Sequence, residues 1–203
     1  MRTLVSLTLS TLLAASAAAG DRTAGEAQTL AQLEQHAQAL ARQFVGELKP
    51  QLQQAMRDGG PTHAIAVCSD IAPRLADALS AQSGWLVKRV SLKPRNASRA
   101  QPDAWEQTVL QDFDRRQAAG EPAAEIHRGE LVGNQYRYMQ AQGAGALCLT
   151  CHGTKLAPPV QAALQAYYPD DRATGYTLGQ VRGAVSLTRN CASGASAHPD
   201  AAC

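Results

Sequence analysis

The five-residue pattern Cys148-Leu149-Thr150-Cys151-His152 limits this chain more than any other feature of its sequence. Two thiols at this spacing can form thioethers with the two vinyl groups on one edge of a porphyrin, and the adjacent imidazole can bind the iron from the proximal side. The following residue, Gly153, lets the backbone lie close to the ring. The pattern therefore predicts one covalently attached haem c, held by Cys148 and Cys151, with His152 as an axial ligand.

Two other kinds of site can contain a C-x-x-C pair. A zinc site would need two more ligands at suitable spacing, and the sequence has no second C-x-x-C and no H-x-x-x-H. A thioredoxin-type pair normally opens a helix after a strand in a βαβ unit, and that context is missing here. Both alternatives are therefore weaker than haem attachment.

The first residues are typical of a cleavable signal peptide. Arg2 gives a positive start, Leu4 to Leu13 is apolar apart from Ser and Thr, and small residues follow up to Ala19. We expect cleavage after Ala19, so that residues 1–19 are the signal peptide and the mature protein is periplasmic. The apolar stretch is short for a membrane span, and no later segment resembles one.

Export affects the cysteines, because an oxidising compartment permits disulfides and is where bacteria attach haem c. The five cysteines make an odd number, so one must be free, metal-bound or paired with another chain. The formal net charge of +2 gives no reason to expect nucleic acid as a partner.

Hydrophobic periodicity and turn signals divide the mature chain into helices and strands. The expected order is two helices, a strand, a helix, a hairpin, the cysteine motif, a helix and a strand. This order predicts an α+β domain over residues 24–188 with a mostly antiparallel sheet, followed by a flexible tail at 189–203. The predicted helices are 24–58, 62–82, 102–120 and 158–167, and the predicted strands are 85–92, two within 123–141 joined at Gly133-Asn134, and 181–187.

The second axial position of the iron has several candidate ligands. Cys68 lies on the apolar face of the second predicted helix, where it is either a small buried residue or a thiolate that faces the haem. His63 is a weaker contender near the start of the same helix. The remaining candidates are His36, His127, His198, Met56 and Met139.

Several short motifs, in order along the chain, resemble those of a known family; they lie at 64–73, 87–96, 103–106, 148–153, 168–173, 175–176 and 181–186. It is the family of exported single-haem c-type proteins with a PAS-like α/β fold, whose members also occur as the sensor part of membrane-bound histidine kinases. The resemblance covers roughly residues 28 to 188.

The resemblance implies a fold and a ligand set. The fold would be a PAS-like antiparallel sheet with flanking helices, including a long N-terminal helix. Cys68 matches the family's second axial ligand, which implies His152/Cys68 ligation. A thiolate stabilises ferric iron, so the implied potential is low, and loss of that ligand on reduction would open a site for a small molecule such as a gas.

A basic cluster surrounds the first predicted strand. It is either a solvated charged surface or a source of haem propionate ligands, for which Arg95 with Asn96 is the preferred pair. The cluster consists of Lys88, Arg89, Lys93, Arg95 and Arg99. In the tail, Cys191 and Cys203 are expected to form a disulfide with each other, with an intermolecular link as the alternative.

Three functions remain open on sequence grounds. The first is a sensor of redox state or a small ligand, which would need a separate signalling partner because the chain has no output domain. The second is an electron carrier between larger redox proteins. The third, a haem peroxidase, is weakest because no distal acid–base pair can be identified. We expect a redox or sensing role and no enzymatic activity.

Overall fold

The computed structural model describes residues 12–191, with side chains from Thr29 onward. The predicted signal peptide and tail fall largely outside the described residues, as do His198 and Cys203. No helix in the described part of the chain is long and apolar enough to cross a membrane. The helices are α1 (Leu12–Ser83), α2 (Ala104–Ala118), α3 (Leu149–His152) and α4 (Pro158–Tyr167), and the strands are β1 (Leu86–Val90), β2 (His127–Val132), β3 (Gln135–Gly143) and β4 (Val181–Asn190).

Helix α1 is broken at the point where the sequence predicts a stop. Gly59 and Gly60 leave helical geometry, and Gly60 has a φ of 70°, which glycine adopts without steric cost. The helix then resumes at once, so the two predicted helices meet without a loop. Pro50 and Pro73 lie inside α1 without a second break. We call residues 61–83 the second segment of α1.

The strands form one antiparallel sheet in the order β1-β4-β3-β2. Strands β2 and β3 form the expected hairpin, in which Val132 pairs with Gln135 across the Gly133-Asn134 turn. Gly133 adopts a φ of 62°, as a tight hairpin turn requires. The predicted α+β class with a mostly antiparallel sheet and a long N-terminal helix is therefore confirmed.

Helices cover both faces of this sheet. The first part of α1 packs against one face through Leu40 and Phe44, which meet Tyr138 and Leu187. Helix α2 covers the other face, where Phe113 joins a separate apolar cluster. Burial of these two apolar layers is the main force that holds the helices on the sheet.

Strand β4 runs to Asn190, two residues beyond the predicted domain boundary at 188. Its last residues are ordered by pairing, because Gln135 lies opposite Asn190 and the Gln135 side chain donates to the Asn190 side chain at 2.8 Å. Cys191 packs against the α1 face of the sheet and is disulfide-bonded. The ordered domain therefore includes Cys191.

Candidate functional site

A single open cavity collects the cysteine motif and Cys68. Its empty volume is about 1350 Å³, and its walls come from α1, from the ends of β1 and β4, and from the α3 region. That volume includes the solvent at the open mouth of the cavity. The predicted site residues that line it are Cys68, Arg95, Asn96, Cys148, Cys151 and His152.

The cysteine motif is presented by a short helical turn. A 3-10 turn over Ala146–Cys148 leads directly into α3, Leu149–His152. The two thiols and the imidazole therefore extend from one short, continuous helical stretch. Gly153 ends α3, and a Cβ there would collide with the Leu149 carbonyl. Glycine is therefore required at this position by contacts within the motif itself, and the bridge from Gly153 to Tyr176 fixes the motif against the chain that follows α4.

His152 is held as a neutral imidazole with one nitrogen in use. Its Nδ1 lies 2.7 Å from the carbonyl oxygen of Ala173 and donates to it. Burial first, and then the positive charges of Arg182 and Arg95, lower the pKa of His152 to about 2. A neutral ring that donates from Nδ1 leaves Nε2 as a lone-pair donor for a metal.

Arg95 supports the loop that binds His152. Its guanidinium donates to the carbonyl oxygens of Cys151 and Ala173 and forms an ion pair with Asp171 at 3.2 Å. The side chains of Arg95 and Asp171 are only 15% and 8% exposed. Asp171 in turn accepts from the Ala173 N–H at 2.8 Å. The arginine predicted to bind a propionate thus lines the cavity, but its guanidinium already has protein partners.

Asn96 also lines the cavity but has local partners. Its backbone carbonyl accepts from the N–H groups of Arg99 and Ala100, and its side-chain oxygen accepts from Ser98 at 2.9 Å. These bonds build the turn after β1. The structure therefore gives Asn96 a role in shaping this loop.

Cys68 faces the cavity from the second segment of α1. It is a free, half-buried thiol, and its neighbours on the same helix face, Ala64, Ile65 and Ala72, are buried. Burial raises the pKa of the Cys68 thiol, and the charges of Arg89, Arg182 and Arg95 oppose that shift. A positive surround of this kind stabilises a thiolate once a metal is bound.

The other candidates for the second axial position lie in different parts of the fold. Met56 lines the cavity. Met139 is fully buried in the cluster under α2, on the other side of the sheet. His36 packs edge-on against Trp85, and His127 lies 3.2 Å from a Glu34 oxygen.

His63, the weaker candidate from the same predicted helix as Cys68, is exposed and does not line the cavity. Its ring lies against Gly59, where an added Cβ would touch it. The break in α1 therefore turns this histidine outward.

Sequence reasoning missed one cavity residue and underrated another. Arg182 of β4 reaches the cavity beside Arg89 of β1, next to Tyr168. A single arginine inside the otherwise uncharged run Val181 to Leu187 was the signal that could have identified Arg182, because a lone charge in a buried strand needs a reason. Arg89 was in the predicted basic cluster without a specific role.

The donor set around this cavity suits a haem. Two thiols on one helical turn can reach one porphyrin edge, and the free Nε2 of His152 and the thiol of Cys68 open into the same space. Imidazole and thiolate are both established axial ligands of haem iron. The residues present therefore fit the cofactor that the motif predicts.

Comparison with known proteins gives one family and one solved structure. The family model described as Tll0287-like matches residues 21–189. The crystal structure of the cyanobacterial haem protein Tll0287 superimposes with a TM-score of 0.59 and is 26% identical, covering 83% of this chain and 98% of that one. No curated protein matches the chain. The family resemblance drawn from short motifs is thereby confirmed, and the chain belongs to the Tll0287-like family.

Proposed function

We propose that this protein binds one haem c covalently through Cys148 and Cys151, with His152 and Cys68 as axial ligands. The observation that carries the proposal is the convergence of these four side chains on one cavity, although Cys68 lies far from the motif in sequence. The haem bound by Tll0287, a family relative of known structure, also supports it.

The proposed role is to sense redox state or a small ligand in the periplasm. A bound haem would supply a redox-active iron with a position that opens when an axial ligand leaves. The protein's residues set the conditions for that change. Ala173 and Arg95 hold the His152 side, whereas Cys68 lies on a helix segment that begins just after the Gly59-Gly60 break. If Cys68 is an axial ligand, its binding to or release from the iron would act directly on the second segment of α1.

The proposed role involves a redox or signalling protein as partner and no enzymatic activity. The first test is the absorption and electron paramagnetic resonance spectrum of the purified ferric protein beside Cys68→Ala. A low-spin thiolate signature that the variant loses would support His152/Cys68 ligation. An unchanged spectrum would remove Cys68 as a ligand and favour an ordinary electron carrier.

Covalent attachment needs its own experiment. The denatured parent protein is extracted with acidified organic solvent beside Cys148→Ser/Cys151→Ser. Haem that stays with the parent chain and leaves the variant would support thioether bonds at these cysteines. Haem that leaves both proteins equally would contradict type c attachment.

Redox sensing and electron carriage differ in their effect on shape. Hydrogen exchange of the second segment of α1, measured in the ferric and ferrous protein, tests the sensor. Faster exchange on reduction is the expected result, because loss of a Cys68 bond frees this segment. Equal exchange, together with rapid electron exchange with a cytochrome, would favour the carrier.

A further inference from the structure

Two arginines in the cavity have no acidic partner among the described side chains. Arg89 and Arg182 both line the cavity, and neither forms an ion pair with a described carboxylate. The other two arginines of the cavity wall are paired, Arg95 with Asp171 and Arg99 with Asp77. Arg89 and Arg182 therefore differ from Arg95 and Arg99 in having no carboxylate partner among the described side chains.

Both guanidiniums lie in a buried environment where other positive charges act on them. Burial, followed by the charge of Arg182, lowers the pKa of Arg89 to about 9. Burial also lowers the pKa of Arg182, and the charge of Arg95 adds to that effect. Two partly buried like charges without a counter-ion are costly, and buried charges in proteins are normally paired.

Their positions in the sheet make one anionic ligand the natural partner of both. Arg89 lies on β1 and Arg182 on the adjacent β4, where the two strands pair through Val90 and Ala184. Gly183 brings the strands together, because its φ of 152° and its lack of a Cβ allow close approach to the Val90 carbonyl. Each guanidinium can offer paired N–H groups to a planar carboxylate.

We infer that Arg89 and Arg182 bind the two propionate carboxylates of the haem, an inference that rests on the proposed function. They neutralise two negative charges with two positive ones inside the cavity. Arg95, which sequence reasoning preferred for this role, instead positions the Ala173 loop behind His152. The carboxylate-binding residues thus come from the sheet, whereas the proposed axial ligands and thioether cysteines come from α1, from the 3-10 turn and from α3.

The experiment separates propionate binding from covalent attachment. Cys148→Ala/Cys151→Ala is loaded with haemin or with haemin dimethyl ester, in which both carboxylate charges are masked. Hydrogen bonds to charged groups predict that the ester binds roughly ten- to a hundredfold more weakly. With Arg89→Gln and Arg182→Gln added, haemin should bind as weakly as the ester, and the ester should lose no further affinity.

Two further variants keep the result interpretable. Arg99→Gln removes a charge from the same cavity wall but from an arginine already paired with Asp77, and it should keep the full difference between haemin and ester. Arg89→Lys/Arg182→Lys keeps both charges and should restore part of that difference. The comparison of the two porphyrins with both arginines intact does not depend on whether the glutamine variants fold.

The possible failures are distinct. Equal affinity for haemin and its ester, with both arginines intact, would overturn this inference alone, because masking the carboxylates would then cost no affinity. A difference that persists undiminished in the double glutamine variant would also overturn it, because the propionates would then bind elsewhere. No haem on the parent protein and no haemin on the cysteine variant would overturn the proposed function and this inference together.

Discussion

The Nδ1 atom of His152 lies 2.7 Å from the carbonyl oxygen of Ala173, so the orientation of the imidazole depends on a loop twenty-one residues away in sequence. The same oxygen accepts from Arg95 at 3.3 Å, and the Ala173 N–H donates to Asp171. Hydrogen bonds to the second nitrogen of a metal-binding histidine fix its tautomer and ring plane. The Arg95–Asp171 pair therefore acts on His152 through the backbone of Ala173.

Removal of one member of this pair should destabilise the fold. Asp171→Asn leaves the charge of Arg95 buried without its partner, and breaking a buried pair in this way costs ~3–5 kcal/mol. We expect the free energy of unfolding in urea to fall by about that amount. The absorption spectrum of the haem-loaded protein should also change, because the Ala173 carbonyl is no longer held against His152.

The matched control is Asp77→Asn, at the exposed pair between Asp77 and Arg99. The side chains of Arg99 and Asp77 are 48% and 59% exposed. An exposed pair of this kind contributes ~0–1 kcal/mol, so this variant should unfold at nearly the parent urea concentration. Equal losses in Asp171→Asn and Asp77→Asn would contradict the buried role of Asp171.

Sequence reasoning located most of the elements because local signals determine them. The Gly59-Gly60-Pro61 stop, the Gly133-Asn134 turn and the start of α2 near Pro102 all appear within a few residues of the predicted points. Asp103 caps α2, because its side chain accepts a hydrogen bond from the Glu106 N–H. The Glu106 side chain in turn accepts one from the Asp103 N–H. Such caps depend on residues three apart, which a sequence shows directly.

Long-range pairs were beyond the same reasoning. Whether Arg95 meets Asp171 or a ligand depends on how the loop after β1 packs against the loop after α4, and no local pattern encodes that contact. Arg182 was missed for the same reason, because its neighbour Arg89 belongs to a different strand. Helical periodicity made Cys68 only one of two things, a buried thiol or a metal ligand, because both occupy the same position on a helix, and the family resemblance alone favoured the ligand.

Loss of Cys68 should reveal a second sulfur donor. Cys68→Ala removes the proposed thiolate ligand, and Met56 is the axial candidate named from the sequence that still lines the cavity. A thioether ligand raises the reduction potential relative to a thiolate, so the midpoint potential of Cys68→Ala should rise. Cys68→Ala/Met56→Leu keeps the apolar volume of residue 56 but removes its sulfur. In this double variant the midpoint potential should be lower than in Cys68→Ala, or the iron should become high-spin.

The control for this pair is Met56→Leu alone, which should leave the ferric thiolate spectrum unchanged. Identical potentials in Cys68→Ala and Cys68→Ala/Met56→Leu would show that Met56 does not replace the thiolate. Titration of the midpoint potential with redox mediators makes both comparisons.

Gly183 should tolerate no side chain. At its φ of 152°, an added Cβ would collide with the Val90 carbonyl. Gly183→Ala should therefore lower the free energy of unfolding by ~1–3 kcal/mol, the cost of a strained residue. It should also weaken haemin binding in the Cys148→Ala/Cys151→Ala background, because Gly183 lies between Arg182 and the strand that carries Arg89.

Gly46→Ala is the opposite case within the same chain. Gly46 lies in α1, is exposed, and has open space where a Cβ would go. Alanine at an exposed helical position stabilises by ~0.5–1 kcal/mol relative to glycine. Urea unfolding of the two variants should therefore move in opposite directions from the parent, and a loss of stability in Gly46→Ala would contradict the helical assignment.

The cap of α2 should make stability depend on acid pH. Burial alone would raise the pKa of Asp103, but hydrogen bonds from Arg137 and the Glu106 N–H, with the charges of Arg137 and Lys88, lower it overall. A carboxyl with a lowered pKa in the folded state stabilises fully above its unfolded pKa of about 3.9. That contribution is lost as the pH falls through the folded value.

Asp103→Asn keeps a side chain that can cap the helix and removes only the charge that faces Arg137, whose Nη2 lies 2.6 Å from the Asp103 carboxylate. We therefore expect the urea midpoints of parent and variant to differ at pH 6 and to converge as the pH falls below about 4. Asp170→Asn, at an exposed carboxylate outside α2, corrects for the general effect of charge at each pH. A difference between parent and Asp103→Asn that stays constant from pH 6 to the acid limit would show that the cap acts through its hydrogen bond alone, because a charge-based contribution must vanish once Asp103 is protonated.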